Sequence, residues 1–507
     1  MPRSKIAENT IFLTMSGAAS VAFTLVQLSI LSRSMSGNDF GLFVALRGFS
    51  LLLGTVMLVG LPQVLVRFLP SYRTRGDGAR SLSTFFISAA VVAVLGGALT
   101  LVSNVWEGVI PARVRLLVPS QELMLWIALS SITLALKMLL YGGFSGLREM
   151  KLQMVLELGF LALFTAYVVA ARDRLEVALL FEAMFIINGA VFLAGIPLFV
   201  RHARAPSPAA SAPAAGGIVV PNLATYWVGS VALSIVALAF TDVDRFVMSS
   251  VLPMAAVSLF HVASRVDVLL KRFLGLPILA AQPEITRVYE EGRWDDIAGR
   301  IGLFTKGILV AALFSVSLFA VIGQDVIIVL SGKAYADSYA ILLILLPTVP
   351  LAAVAAPLMA TMRSLHFMKW AVLCDFLWMA VYFGTFFSFV SILGVRGMAV
   401  AQILASAVQL AAAIALARRE GFFGGIGPRL GRVFAVLAVV TTVGMLVTQR
   451  TGWYASAIAV ILAPFAAKLL IRRLGVFEPE ETGRILELVT VPAGRRVAAW
   501  ILSAEER

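Results

Sequence analysis

The sequence predicts an all-α polytopic membrane protein of about fourteen spanning helices, in two pseudo-symmetric six-helix lobes followed by two further helices. Three observations carry this. Of the 507 residues, 60% are apolar and 14% charged, against about 45–50% and 25% in soluble domains. Apolar runs of about 20 residues, enough to cross ~30 Å of hydrocarbon, recur along the chain. Lys and Arg alternate between the intervening loops in the manner of the positive-inside rule.

The runs fall at 10–32, 42–62, 82–104, 121–142, 152–171 and 176–200, then at 221–241, 254–282, 301–323, 339–362, 370–390 and 396–417, and last at 432–448 and 453–471. The first follows Arg3 and Lys5. It exceeds the about 7–15 residues of a signal-peptide core and leads into "LSRSMSG", a poor cleavage site, so it reads as a retained span. With the N-terminus placed in the cytoplasm, basic residues on that side outnumber those opposite by roughly three to one. Both termini are then cytoplasmic. The same rule accounts for the net charge of +13 without a nucleic-acid partner.

Between the sixth and seventh runs, "ARAPSPAASAPAAGG" (203–217) has the composition of a flexible linker. The expected organisation is an N-terminal lobe (1–202), a cytoplasmic linker (203–220), a second lobe (221–420), two extra spans (421–472) and an amphipathic cytoplasmic tail (473–507). "LFVALRGFSLLL" (42–53) aligns with "LFHVASRVDVLL" (259–270) once a residue is inserted at His261. Matches of Leu, Val and Ala come cheaply in apolar sequence, whereas the match of Arg47 with Arg265 does not. Both arginines sit in the second span of their set, and Asn9 and Asn222 open the first spans at comparable distances. Two segments, 283–300 and 483–502, read as amphipathic helices on the membrane surface; the second reads equally as a solvated connector.

The eighth run is the most informative. It carries His261, Arg265, Asp267, Lys271 and Arg272, although a charge at mid-membrane costs roughly 2.5–3.5 kcal/mol on the insertion scale. His261/Arg265 and Asp267/Lys271 are each four apart, on one helix face. His261, Arg265 and Arg272 form a stripe ~16 Å long, which suits the wall of a wet cavity better than a single ion pair. Lys271 and Arg272 lie in the cytoplasmic half, where snorkelling is the alternative. Arg47, near the outer end of its span, has the same two readings, and Arg265 has structural pairing as its alternative. Lys137, near the inner end of its span, reads as a snorkelling cation. The acids inside spans are Glu157, Glu182, Asp267 and Asp375; each is a candidate for pairing with an arginine or for cation coupling. The interior is net basic, which favours an anionic passenger, and the arginine fork suits phosphate.

Other chemistries are poorly served. A single cysteine, Cys374, forms no intrachain disulfide and anchors no structural zinc, and reads as a small buried hydrophobe. His202, His261 and His366 lack metal-ligand spacing. There is no P-loop, so ATP is not the direct energy source. The outer loops are too short for an embedded polymerase or glycosyltransferase. "GGFSG" (142–146) has G-x-x-x-G spacing but precedes Arg148 at a helix end, and reads as a turn.

"ILSRSMSGNDFGLFVALRGF" (30–49), with its Asp39-Phe40-Gly41 step, resembles the first-loop signature of bacterial polysaccharide transporters. "FTDVDRFVMSSVLPMAAVSLFHVASRV" (240–266), with Asp242 and Asp244, resembles the opening of their second bundle. "PEITRVYEEGRWDDI" (283–297) is similar to the connector that follows. The family is the Wzx-type O-antigen and polysaccharide flippases of the MOP superfamily, related to lipid II flippases and MATE exporters. The resemblance implies an inverted V of two lobes around a cationic cavity, in a bacterial cytoplasmic membrane. It implies an undecaprenyl-diphosphate-linked glycan (an O-antigen, exopolysaccharide or capsule repeat unit) as passenger, and no cofactor or catalysis. Partners would be that anionic lipid-linked glycan, membrane lipids, and the polysaccharide polymerase with its chain-length machinery. Arg47, Arg265 and Asp39 match positions that matter in the lipid II branch. The first span departs from that branch: it has no internal arginine, and Arg33 stands at its outer end. The cavity set is then Arg47, His261, Arg265, Lys271 and Arg272, with Asp39, Asp242, Asp244, Asp267 and Asp375 as gating or coupling groups. Ser36 and Asp39 also have capping-box spacing, so a helix cap and a gate residue are both open readings for Asp39. The alternative functions are a MATE-like cation-coupled exporter of small molecules, which would prefer an acidic cavity, and an embedded polysaccharide polymerase or ligase.

Overall fold

The computed structural model describes residues 3–103, 120–204, 243–290, 294–364 and 367–423, with isolated positions at 230, 231, 234, 465, 468 and 469. The linker from 205, the tail from 473 and, isolated positions apart, the seventh, thirteenth and fourteenth apolar runs lie outside the described residues. Helix is the regular structure throughout what is described. The chain begins with α1 (Arg3–Ser34), α2 (Gly37–Leu58), α3 (Leu61–Thr74), α4 (Gly78–Ser103), α5 (Gln121–Gly146), α6 (Met150–Ala170) and α7 (Val177–Arg204). It continues with α8 (Val243–Ser249), α9 (Met254–Glu290), α10 (Trp294–Ser331), α11 (Ser338–Leu345), α12 (Thr348–Ser364), α13 (Met368–Leu393) and α14 (Val395–Arg419). Among the described residues, eight helices are long and apolar enough to cross a membrane, and α11 with α12 makes a ninth if that bent pair is one span. Their outer faces carry exposed Ile87, Val94, Leu101, Phe387 and Ile392, as lipid contact requires.

The residues group into two compact units, Phe12–His261 and Val262–Arg507 with Met1–Ile11, and the division falls inside α9. In the first unit α5 is central, packing against α2, α3, α4 and α7. Its core holds Leu65, Phe85, Leu139, Phe144 and Phe199. Val59 and Gly60 take left-handed conformations after α2, turning the chain into α3 with Pro62 in the first turn, where its missing N–H costs nothing. Between the apolar runs 42–62 and 82–104 the chain is not all loop: α3 is a 14-residue helix, too short to span.

The glycines of "GGFSG" correct a second expectation. They end α5 as helix and form its contact face, not a turn. A Cβ on Gly142 would stand 2.8 Å from the Pro62 Cα, and one on Gly146 2.6 Å from the Leu65 carbonyl oxygen. Small residues four apart let α3 reach the α5 backbone. The start of α2 uses the same device. Ser36 caps it, accepting from the Asp39 N–H at 3.1 Å while its hydroxyl donates to the Asp39 carboxylate at 2.7 Å. Gly41 lies so close to the first residue of α9 that a Cβ would be 1.9 Å from the Met254 carbonyl oxygen. Phe40 meets the His261 ring edge-on at 5.7 Å, and Phe246 of α8 stacks on Phe49 at 4.7 Å.

In the second unit α13 and α14 form a hairpin through Gly394 (φ 58°). α12 packs on α10 and α14 over a core of Leu358, Met362, Ala371, Cys374 and Ala417. The α11–α12 pair bends by 42° within "LLPTVP" (345–350), because Pro347 has no N–H to continue the helix. Of the segment 283–300, read as an amphipathic surface helix, 283–290 ends α9 and 294–300 opens α10. At 37 residues α9 is ~55 Å long, more than the hydrocarbon needs.

Gly41→Leu and Gly146→Leu should each lower thermal stability in detergent by at least the 1–3 kcal/mol typical of overpacking, roughly. Gly97→Ala, where a Cβ meets nothing within 4 Å, should be neutral or slightly stabilising. Equal melting temperatures for all three would contradict the close helix approach.

Candidate functional site

The α9 residues spread along a gradient of exposure. His261 is buried, Arg265 and Lys271 are half-buried and Arg272 is exposed. Arg47 is the eleventh residue of α2 and Arg265 the twelfth of α9. The offset of one equals the insertion that the alignment places at His261. Arg47 is half-buried as well.

Asp267 is fully buried and tied on both carboxylate oxygens. Lys271, one turn along, donates to Oδ2 at 2.6 Å. The Thr348 hydroxyl donates to Oδ1 at 2.8 Å. Thr348 is the first residue of α12, immediately after Pro347, so Asp267 holds α9 to the break in the α11–α12 pair. Thr348 is a residue that sequence reasoning missed. An isolated threonine gives no signal, although the Pro-Thr-x-Pro break around it does.

In the first unit the snorkelling expected of Lys137 is overturned. Its side chain is 5% exposed, paired with Glu157 of α6 at 3.4 Å, and its Nζ lies 3.5 Å from the centroid of the Phe160 ring. It turns inward because a carboxylate and an aromatic face are offered there. Nearby helices contribute buried hydroxyls: Ser50 of α2 meets Ser131 of α5 at 2.8 Å. Asn188 of α7 is fully buried, and among the described residues neither amide atom has a hydrogen-bond partner.

The remaining candidates are dispersed. Asp375 of α13 accepts from Arg363 of α12 at 2.7 Å and from Gln409 of α14 at 3.0 Å, so it ties three helices, and neither partner is on α9. Asp244 pairs with its neighbour Arg245, both buried, and Arg245 lies over the Phe260 ring. Asp39 is exposed and engaged with Ser36. Asp242 lies outside the described residues. Among the described residues no cluster of His, Cys, Asp or Glu is arranged to hold a metal ion.

No family model matches the chain, and no curated protein matches it. Solved structures do, over most of its length. The lipid II flippase MurJ, in an inward closed conformation, matches with a TM-score of 0.71 at 13% identity, covering 92% of this chain and 99% of that one. The chain has the fold shared by MurJ and the MATE transporters. A multidrug resistance MATE family transporter of the MOP superfamily matches in an inward-facing conformation with a TM-score of 0.59 at 14% identity, over 80% of this chain and 94% of that one. One in an outward-facing conformation matches at 0.56 and 14%, over 82% and 95%. On this fold the expectation of a multi-pass, all-helical membrane protein stands.

A charge cycle tests the Lys137 seat. Glu157→Gln leaves Lys137 buried without its carboxylate and should cost about 1–2 kcal/mol, discounted because the Glu157 side chain is 41% exposed. Lys137→Met combined with Glu157→Gln should recover most of that loss. Additive losses in thermal melts would show that the two residues are not coupled.

Proposed function

We propose that this protein is a transporter that flips an undecaprenyl-diphosphate-linked oligosaccharide from the inner to the outer face of the bacterial cytoplasmic membrane by alternating access. The passenger is a repeat unit of a surface polysaccharide such as an O-antigen, exopolysaccharide or capsule. The observation that carries this reading is the sign of the charge on a fold shared by flippases and exporters. Glu157, Asp267 and Asp375 each pair with a base, so three of the four acids inside the spans are already committed. The sequence of α9 puts His261, Arg265 and Arg272 on one face, and Arg47 is the corresponding half-buried arginine of α2.

A diphosphate brings about two negative charges, and hydrogen bonds to charged groups contribute roughly 1.5–3 kcal/mol each. An arginine donates two in a planar fork, which a lysine cannot imitate. A drug cation would instead call for an acidic site, and an exporter of that kind is the second reading only if the committed carboxylates are released.

Arg265→Ala should abolish surface-glycan assembly in a deletion strain, with membrane abundance near normal by immunoblot. Arg265→Lys should restore it in part, and Arg47→Ala should have a milder effect. Full function of Arg265→Ala at normal abundance would overturn the role. Loss of the protein itself would make Arg265 structural.

A further inference from the structure

Among the described residues of α9, Asp267 and Lys271 are the pair that joins a fully buried acid to a partly exposed base. The Asp267 side chain is 1% exposed and that of Lys271 23%. Around the α9 axis, at 3.6 residues per turn, Lys271 falls between the face that carries Asp267 and the face that carries His261, Arg265 and Arg272. Its ammonium therefore lies between the carboxylate it holds and the face that carries the other basic side chains. Thr348 adds a second two-way choice. Its hydroxyl has one proton and two acceptors in range, Asp267 Oδ1 at 2.8 Å and the Leu345 carbonyl oxygen at 2.7 Å. The first acceptor belongs to α9. The second is the last residue of α11, across the break.

We propose that Lys271 is a shared cation, which the anionic group of the passenger takes from Asp267, and that this exchange releases the start of α12 from α9. This rests on the proposed function, because it requires an anionic passenger. Withdrawing the ammonium leaves a carboxylate with no cation in a dry site, a costly state. The protein relieves that cost by bringing Asp267 to water, which separates it from Thr348. The Thr348 hydroxyl then donates to Leu345, within the broken span. The break at Pro347 makes this local: no continuous ladder of helical hydrogen bonds has to be torn for α12 to move relative to α11. Passenger binding and the position of α12 are thus linked through one side chain, and by reciprocity the latched state binds the passenger less well.

The test uses purified full-length protein, undecaprenyl diphosphate as probe, and four variants. Lys271→Met should weaken binding by about tenfold or more, the worth of a charge-assisted hydrogen bond. Lys271→Arg should retain it. Asp267→Asn keeps an acceptor for Thr348 but gives up its claim on Lys271, and should bind about fivefold more tightly than the wild type, within the usual range of coupling between sites. The double variant Lys271→Met/Asp267→Asn carries no orphaned charge, and should fold stably and bind like Lys271→Met. In hydrogen–deuterium exchange, the probe should speed exchange across 338–364 in the wild type and leave it unchanged in the double variant. Unaltered affinity in Lys271→Met, or Asp267→Asn binding no more tightly than the wild type, would overturn the exchange while leaving the diphosphate reading intact. Should Asp267→Asn fail to fold, exchange across 338–364 that ignores the probe in the wild type decides against it. No binding by the wild type would remove the diphosphate reading, and this inference with it.

Discussion

Hydrocarbon offers an ionised side chain no water, so every charge inside a spanning helix must be answered by another polar group. That constraint determines much of how the described helices are joined. Lys137 and Glu157 connect α5 to α6. Asp375 gathers Arg363 and Gln409, and with them α12 and α14, onto α13. Asp267 takes Thr348 and so fixes α9 to the start of α12. These contacts are few, and apolar packing surrounds them, but they decide register: a one-turn slip of any partner would strand a charge at a cost of several kcal/mol, about 3–5 by analogy with broken buried pairs.

The second constraint is closeness. Where two helices meet in lipid there is little hydrophobic drive between them, and small residues supply packing instead. The Asp39-Phe40-Gly41 step shows how three neighbouring residues divide that work. Asp39 completes the cap of α2, Phe40 lies against His261, and Gly41 admits the Met254 carbonyl. A motif noticed for its resemblance to transporters thus has a packing role of its own, at the point where α2 meets the first turns of α9. From there α2 runs about two turns to Arg47 and α9 about three turns to Arg265.

Length and hydropathy made the long helices legible: the apolar runs at 82–104, 121–142, 152–171, 176–200, 370–390 and 396–417 match α4 to α7, α13 and α14 within a few residues. The ionisable stripe was legible too, because charge in an apolar run stands out. What stayed hidden depends on partners distant in sequence. Lys137 looked like a snorkelling lysine because the sequence does not show that Glu157 and Phe160 stand beside it. The glycines at 142 and 146 looked like a turn because α3, the helix they receive, is amphipathic and too short to register as a span. Thr348 gained meaning only from Asp267, eighty-one residues away. The connector at 283–300 was legible as amphipathic helix, but its composition does not show that 283–290 continues α9 and that 294–300 opens α10.

The central claim is that a net-basic interior on this fold serves a lipid-linked anionic glycan. Its most direct test is the sidedness of that lipid in cells. In a strain depleted of this protein, spheroplasts are exposed to a membrane-impermeant reagent that labels oxidised sugars, and undecaprenyl-diphosphate-linked glycans are then extracted and quantified. The account predicts that these glycans accumulate in an unlabelled, inward-facing form, and that restoring the wild-type protein returns them to the labelled pool. Lipid-linked glycans that reach the outer face at the normal rate without this protein would contradict it.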